Sequence, residues 1–523
     1  MIGVQNGAGL AGHADFGSLF RDWLEGSGSL GSATSELNDY YTLPDAAPEA
    51  GRIWLDAAWR EPWQASQLED LPEGAERERL VADVAALAAG EADVVITGQQ
   101  PGFLGGPLYT LYKVAATVVL AELRTAAGRP TVPVFWSGDD DDDLREALQP
   151  VIWDPGLQVL LRHDDHGRRD LGSDRMVGAL PAAEIAAGEG RWLASVADRS
   201  ALAADLARLW HQAIAAGESW GRLQRRALLR FFAGHGLLVV HGSDPLLHAA
   251  AAPFYQELWQ QREKLREAAR AGGRRLKAAG HGAAVTEPSI QRFLHLGRDG
   301  RRQPLAADHR GQLPAAAELR PGVVARSLVQ DWLFRPAGVV AGPGEVAYLK
   351  QLAPVYEAFD LPRSPLLPRL FAQLGPAGHG AFRTWALGVA GREQPEADQQ
   401  LGDAVARVAA MARGELIAML RTEGGVGAER AETVADQVQR RWSRHLESVV
   451  RREQRRRRDD PGAGQAAWLR PDTRRQERTL AAFAAAALWG DEFSEALAHA
   501  GRRHYDAGLD GDWREFLLTV PEP

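Results

Sequence analysis

Short apolar runs alternate with helical spacing along much of the chain. ADVVI (92–96) is a β-branched run, and KVAATVVLAELRTAAG (113–128) is apolar at helical steps and ends in glycine. Between them lies TGQQPGFLGGPLYTLYK (97–113), where Gly105 and Gly106 set a turn and Pro107 stands near the first helical position. The helix is expected to run to about Thr125, stopped by Gly128 and Pro130, with TVPVFW (131–136) as the next strand. GLLVVHGSDP (236–245) is a further buried-strand pattern, and GVVAGPGEVAYLKQL (338–352) repeats strand, Gly-Pro-Gly loop and helix. Strands alternating with helices predict an α/β fold with a mainly parallel sheet. RERLVADVAALAAG (77–90) predicts a helix within a polar, Gly/Ser-rich N-terminal stretch.

The pattern changes over residues 395–490. Leu401, Val405, Val408, Ala412, Leu416 and Met419 recur at steps of three or four, and beyond Gly424 and Gly425 so do Val434, Val438, Trp442, Leu446 and Val449. Two amphipathic helices are expected, forming an antiparallel hairpin or coiled coil. The Arg-rich RREQRRRRDDPG (451–462) reads as a solvated helix face. The expected organisation is a first part of the core with an N-terminal extension (1–150), a connecting insertion (151–235) and a second part of the core with another insertion near 260–320 (236–394). A helical coiled-coil domain (395–490) and a segment returning to the core (491–523) follow.

Composition narrows the function classes. Hydrophobic residues are 45% and charged residues 25% of 523 positions, enough for a sizeable core, and at ~150 residues per domain the length suggests about three domains. A net charge of −9 gives no general attraction to nucleic acid. No uncharged apolar run is long enough to predict a membrane span. The start, MIGVQNGAGLAGHADFG, lacks a basic n-region and a continuous apolar core, so no signal peptide is expected and the cytoplasm is the expected compartment. Cysteine is absent, which excludes disulfides and thiolate metal ligands. Drift toward Ala, Arg and Gly accounts for this, and an enzyme that handles thiols would also gain from it.

Three stretches carry candidate chemistry. In the first, Gly98, Gly105 and Gly106 allow close backbone approach, Thr97, Gln99 and Gln100 add neutral hydrogen-bonding groups, and Tyr109 and Lys113 share a helix face. A loop opening a helix suits an anion, although neither the P-loop nor the GxGxxG pattern is present. The second is WSGDDDDDLREAL (136–148), five successive carboxylates just past a predicted strand, where ligands bind in open α/β sheets. Such a cluster repels itself unless a metal ion or a substrate ammonium joins it. The third is Gly342, Pro343, Gly344 and Glu345 at a helix start, with Arg326, Gln330 and Asp331 upstream. LRHDDHG (161–167) has metal-ligand residue types but reads as a surface turn, and no metal site is assigned. GxSxG is absent.

TGQQPGFLGGPLYTLYK, VPVFWSGDDDDD, LVQDWLFRPAGVVAGPGEVAYLKQL with Tyr348 after the GPGE, and LRPDTRRQER (469–478) together resemble the bacillithiol-biosynthesis cysteine-adding enzymes. Order and spacing match over roughly residues 90–490. The resemblance implies a Rossmann-like parallel-sheet core with connecting insertions plus an α-helical coiled coil that makes a homodimer. It implies a ligase joining L-cysteine to the amino group of glucosaminyl-malate, the last step of bacillithiol biosynthesis. It also implies ATP or ADP as a cofactor, with any metal requirement open. The family's Glu-Asp-His-Asp stands here as Asp140, Asp141, Asp142 and Asp143, so its imidazole is missing at Asp142. Its usual proline after Arg326 is Ser327, and no KMSKS-like loop is found.

Amide formation at neutral pH needs a deprotonated amine and a carboxylate carrying a leaving group. Asp140, Asp141 and Asp143 are expected to hold the sugar ammonium and accept its proton. Lys113, Arg326 and the two helix starts are expected to hold carboxylates or phosphates, with ATP supplying activation. Asp139 matches no acidic position of the family, and its loss is expected to matter little. The alternatives are a nucleotidyl-transferase acting on another small substrate and a non-catalytic nucleotide-binding protein. The glycine loops and the acidic run are expected to converge on one pocket.

Overall fold

The apolar runs become strands of one parallel sheet. They are β1 (Asp93–Gln99), β2 (Thr131–Ser137), β3 (Leu238–His241), β4 (Gly338–Ala341) and β5 (Leu366–Pro368), in the order β5-β4-β1-β2-β3. All four pairings are parallel. A computed structural model describes residues 2–12, 16–27, 29–42, 52–71, 73–154, 159–162, 174–306, 309, 311–376, 416–422, 427–436 and 475–520. Every residue of β2 is buried, as expected for a strand covered on both faces. The chain leaves β1 in one direction toward β2 and β3, then returns to the other side of β1 for β4 and β5. The order therefore reverses between β1 and β4, and such a switch point opens a crevice at the carboxyl ends of the strands.

Three helices frame that crevice. They are α1 (Tyr109–Ala126), α2 (Val323–Phe334) and α3 (Pro343–Ala358). Proline opens α3 at its first position, and the Gly342 N–H donates to the Glu345 carboxylate, so the side chain satisfies a donor the helix cannot. The predicted α1 and the strands β1, β2, β3 and β4 thus form where the periodicity places them.

The chain divides into two compact units. The first gathers Met1–Val151, Arg162–Pro376 and Glu477–Pro523. Residues 162–235, expected as a separate insertion, belong to this unit, and Gln224 donates to the Gly102 carbonyl beside the sheet. A small sheet of Leu294–Arg298, Arg301–Pro304 and Leu319–Pro321 lies within the insertion expected near 260–320. Residues 477–490, expected in the helical domain, also belong to the first unit. The helix Ala482–Trp489 (AFAAAALW) is buried on every side, the mark of a core helix rather than an amphipathic arm. The C-terminal strand Arg514–Val520 pairs with Gly3–Gly9 and Ala372–Pro376.

The second unit comprises Ile152–Leu161 and Ala377–Gln476. Its described part includes helical stretches at 416–422 and 428–436. The rest of the expected coiled coil, its Arg-rich run and most of LRHDDHG lie outside the described residues. Among the described residues no helix is long and apolar enough to cross a membrane.

Candidate active site

A cavity of 680 Å³ opens at the switch point. Of the sequence-predicted residues, Thr97, Gly98, Gln99, Gln100, Asp141, Asp143, Arg326, Gln330, Asp331, Glu345 and Tyr348 line it. They come from the ends of β1 and β2, from α2 and from the first turns of α3. Thr97 ties the switch point together, its hydroxyl donating to the Val340 carbonyl at 2.9 Å. Gln100 lines the cavity, and its buried amide nitrogen has no hydrogen-bond partner among the described residues.

The other predicted residues stand outside the wall, and each for a visible reason. Gly105 and Gly106 adopt φ of +87° and +78°, which suits glycine, but their backbone is covered. A Cβ on Gly105 would sit 2.6 Å from the Phe483 ring, the Gly106 carbonyl accepts from Ala482 N–H, and Pro107 bridges to Ala481. This turn packs the helix 482–489 and leaves no open backbone for phosphate. Tyr109 lies beneath, with the Arg369 guanidinium over its ring at 5.3 Å. Gly342 and Pro343 cap α3, and Gly344 is exposed on its first turn.

Lys113 is also committed. Its three donors reach the Gly98 carbonyl at 2.9 Å, Gln99 Oε1 at 3.0 Å and Glu345 Oε2 at 2.7 Å. An ammonium has only three N–H groups, so none remains for a ligand. Burial lowers its basicity against the pull of Glu345. Lys113 therefore fastens β1 to α3 rather than holding a substrate anion.

The acidic run divides residue by residue. Asp139 is buried and accepts from Ser243 N–H at 2.9 Å and Ser243 Oγ at 2.8 Å, while His241 Nδ1 lies 2.7 Å away. Burial pushes its carboxyl up, but His241 and Ser243 outweigh this and hold it below the usual range. Asp139 thus joins the end of β2 to the turn after β3. Asp140 lies under the cavity wall, 1% exposed, with Arg326 Nη2 3.6 Å away and no hydrogen bond to either oxygen. Burial raises its pKa despite Arg326.

Asp141 meets Arg326 Nη1 at 3.1 Å and Arg302 Nη1 at 3.6 Å, and its Oδ1 accepts from Asp142 N–H at 2.8 Å. The two guanidiniums overcome burial and lower its pKa. Asp142 faces Arg302 at 3.4 Å, yet burial leaves its pKa raised. Asp143 is exposed and caps a single helical turn by accepting from Glu146 N–H at 2.8 Å. The cations that relieve the repulsion are thus the protein's own arginines.

Sequence reading missed part of the wall. Arg302 and His295 enter from the sheet 294–304, Arg292 from just before it, and Arg363 from the loop before β5. The Asp299–Gly300 pair marked a hairpin turn but not its neighbour across the cavity. Arg292 and Arg363 are exposed on this wall and have no ion-pair partner among the described residues. Burial and the nearby Arg302 and Arg326 lower the His295 pKa to about 3, so its ring is neutral at pH 7. Among the described residues no group of three His, Asp or Glu side chains is disposed to hold a metal ion.

Residues 64–314 and 313–370 match the family model described as "Bacillithiol biosynthesis BshC, N-terminal Rossmann-like domain". Relatives named "Putative cysteine ligase BshC" include proteins from Shouchella clausii, 29% identical over 57% of this chain, and Heliobacterium modesticaldum, 28% over 63%. Another, from Koribacter versatilis, is 30% identical over 57%. The matched stretches span 58%, 66% and 58% of those relatives, less than two thirds of each.

Proposed function

The chain belongs to the bacillithiol biosynthesis BshC family, and on that premise we propose that it is a ligase forming the amide bond between L-cysteine and the amino group of glucosaminyl-malate. One observation carries this reading. A single cavity presents carboxyls (Asp143, Glu146, Asp331) and two arginines (Arg292, Arg363) with no counter-ion among the described residues, on different elements. A site of both signs suits reactants that carry both signs: cysteine is a zwitterion, and glucosaminyl-malate joins an ammonium to carboxylates. Arg292 and Arg363 would hold the malate carboxylates, the fork geometry of guanidinium favouring paired contacts. Gln100 and Tyr348 would orient the sugar through neutral hydrogen bonds.

Part of the set first expected to hold ATP or ADP is committed within the protein. The Gly105–Pro107 backbone is covered by residues 480–483, Lys113 has no spare donor, and the Gly342 N–H is already bonded. The reading extends to a homodimer, formed through the amphipathic pattern of residues 401–449, which light scattering on the intact chain tests by mass. The activity itself is tested by incubating the purified protein with cysteine and glucosaminyl-malate, with and without ATP, and following bacillithiol by mass spectrometry. Product is expected. Its absence under both conditions would refute the ligase reading.

A further inference from the structure

Several acidic groups at the cavity are already matched by cations. Asp141 and Asp142 face Arg302 and Arg326, and Glu345 faces Lys113. Asp331 differs. It is 3% exposed, lines the cavity, and has no ion pair within 4 Å among the described residues. Only neutral groups bond it: Tyr356 OH at 3.0 Å on Oδ2, the Gln330 amide at 3.2 Å on Oδ1, and the Ser364 hydroxyl beside them. A buried carboxylate served only by neutral donors is costly, so its environment favours either a proton or an incoming cation.

The surroundings support the same reading. Tyr356 and Tyr348, from α3, face Asp331 and are kept protonated by burial. Ser364 approaches from the loop before β5, and Arg335, at the end of its own helix, acts from farther away. Arg326, on the same helix, is committed to Asp140 and Asp141. Burial pushes the Asp331 carboxyl up to about 7, where it can both receive and return a proton at neutral pH.

We propose that Asp331 is the catalytic carboxylate that receives the substrate ammonium and takes the proton that makes the amine nucleophilic. The inference rests on the ligase reading above. In the step, one N–H bond of the ammonium breaks and one O–H bond forms on Asp331. The positive nitrogen and the negative carboxylate both become neutral, and no other reactant is consumed. Two neutral groups are better tolerated in a buried cavity than two charges, which favours this transfer more than it would be favoured in water. Gln330 and Tyr356 position the receiving oxygens.

Isothermal titration of the full chain with glucosaminyl-malate, in buffers of different ionisation enthalpy at pH 7, tests this. Before binding, burial keeps Asp331 partly protonated near neutral pH. The bound pair holds one proton whichever atom carries it, so binding should release a fraction of a proton. The Asp331→Asn variant should release none and bind at least about tenfold more weakly. Wild-type binding without proton release, or unchanged binding by Asp331→Asn, would overturn the assignment and leave the ligase reading standing. The wild-type measurement is decisive even if the variant does not fold. Failure of the wild type to bind either glucosaminyl-malate or cysteine would overturn the ligase reading, and the assignment with it.

Discussion

The acidic run Asp139–Asp143 and the single carboxyl of Asp331 border the same crevice, yet the fold treats them in opposite ways. Four members of the run face cationic or ring partners: Asp139 meets His241, Asp140 and Asp141 share Arg326, and Asp142 meets Arg302. Asp331 sits in the interior beside an amide, a phenol and a hydroxyl, with no ion pair within 4 Å among the described residues. Density of charge in a sequence therefore does not measure charge available to a substrate. Three of five carboxylates in a row become a scaffold that fixes two arginines, while one isolated aspartate in α2 has no ion pair within 4 Å among the described residues.

The sharpest way to break this comparison is to remove the scaffold's cation. Arg326→Met leaves Asp140 and Asp141 without their shared guanidinium. It should cost about 3 kcal/mol of stability, because an uncompensated buried carboxylate remains. Adding Asp140→Asn and Asp141→Asn should restore most of the loss in denaturant unfolding. If Arg326→Met unfolds at the wild-type midpoint, the run is solvated and not a scaffold.

Next is Asp331→Asn, for which turnover should fall by roughly 10²-fold. Its effect on stability has a definite sign. The folded pKa of about 7 lies above the ordinary value of 3.8, so the folded state holds this proton more tightly. The contribution is favourable below about pH 4 and is lost as pH rises through about 7. Asp331→Asn should therefore gain stability over the wild type at pH 8 and gain none at pH 4. Melting curves at the two pH values check this, and an equal shift at both would contradict it.

A smaller effect is expected at Asp139. Asp139→Asn weakens the link to His241 and Ser243 and should cost about 1–3 kcal/mol in unfolding free energy. The smallest is expected at Asp143, which is exposed and caps one turn. Asparagine caps nearly as well, so Asp143→Asn should shift stability by a few tenths of a kcal/mol and leave turnover within a factor of about ten. A loss of turnover as large as that of Asp331→Asn would return the acidic run to the centre of the chemistry.

These contrasts show what the sequence could disclose. The β-branched runs and glycine stops marked β1 to β4 and α1, because local periodicity and turn chemistry determine those elements. The crevice followed from the strand pattern, and Asp331, Arg326 and Gln100 were legible as neighbours of it. The covering of Gly105 by Phe483 was not, since it joins residues hundreds of positions apart. Nor was the entry of Arg302 and His295 from a hairpin that reads locally as a charged surface turn. Lys113 looked free because its partners Gln99 and Glu345 come from the end of β1 and the first turn of α3, far apart in sequence. Pairing is a tertiary property, and it separates the acids that build the site from the one left to act.

A crystal structure of the protein with glucosaminyl-malate bound tests the division between the two regions most directly. We expect the amine nitrogen at hydrogen-bond distance, about 3 Å, from an Asp331 carboxylate oxygen, with the malate carboxylates on Arg292 and Arg363. An amine held by Asp142, Asp143 or Glu146, with Asp331 bonded only to Tyr356 and Gln330, would contradict it.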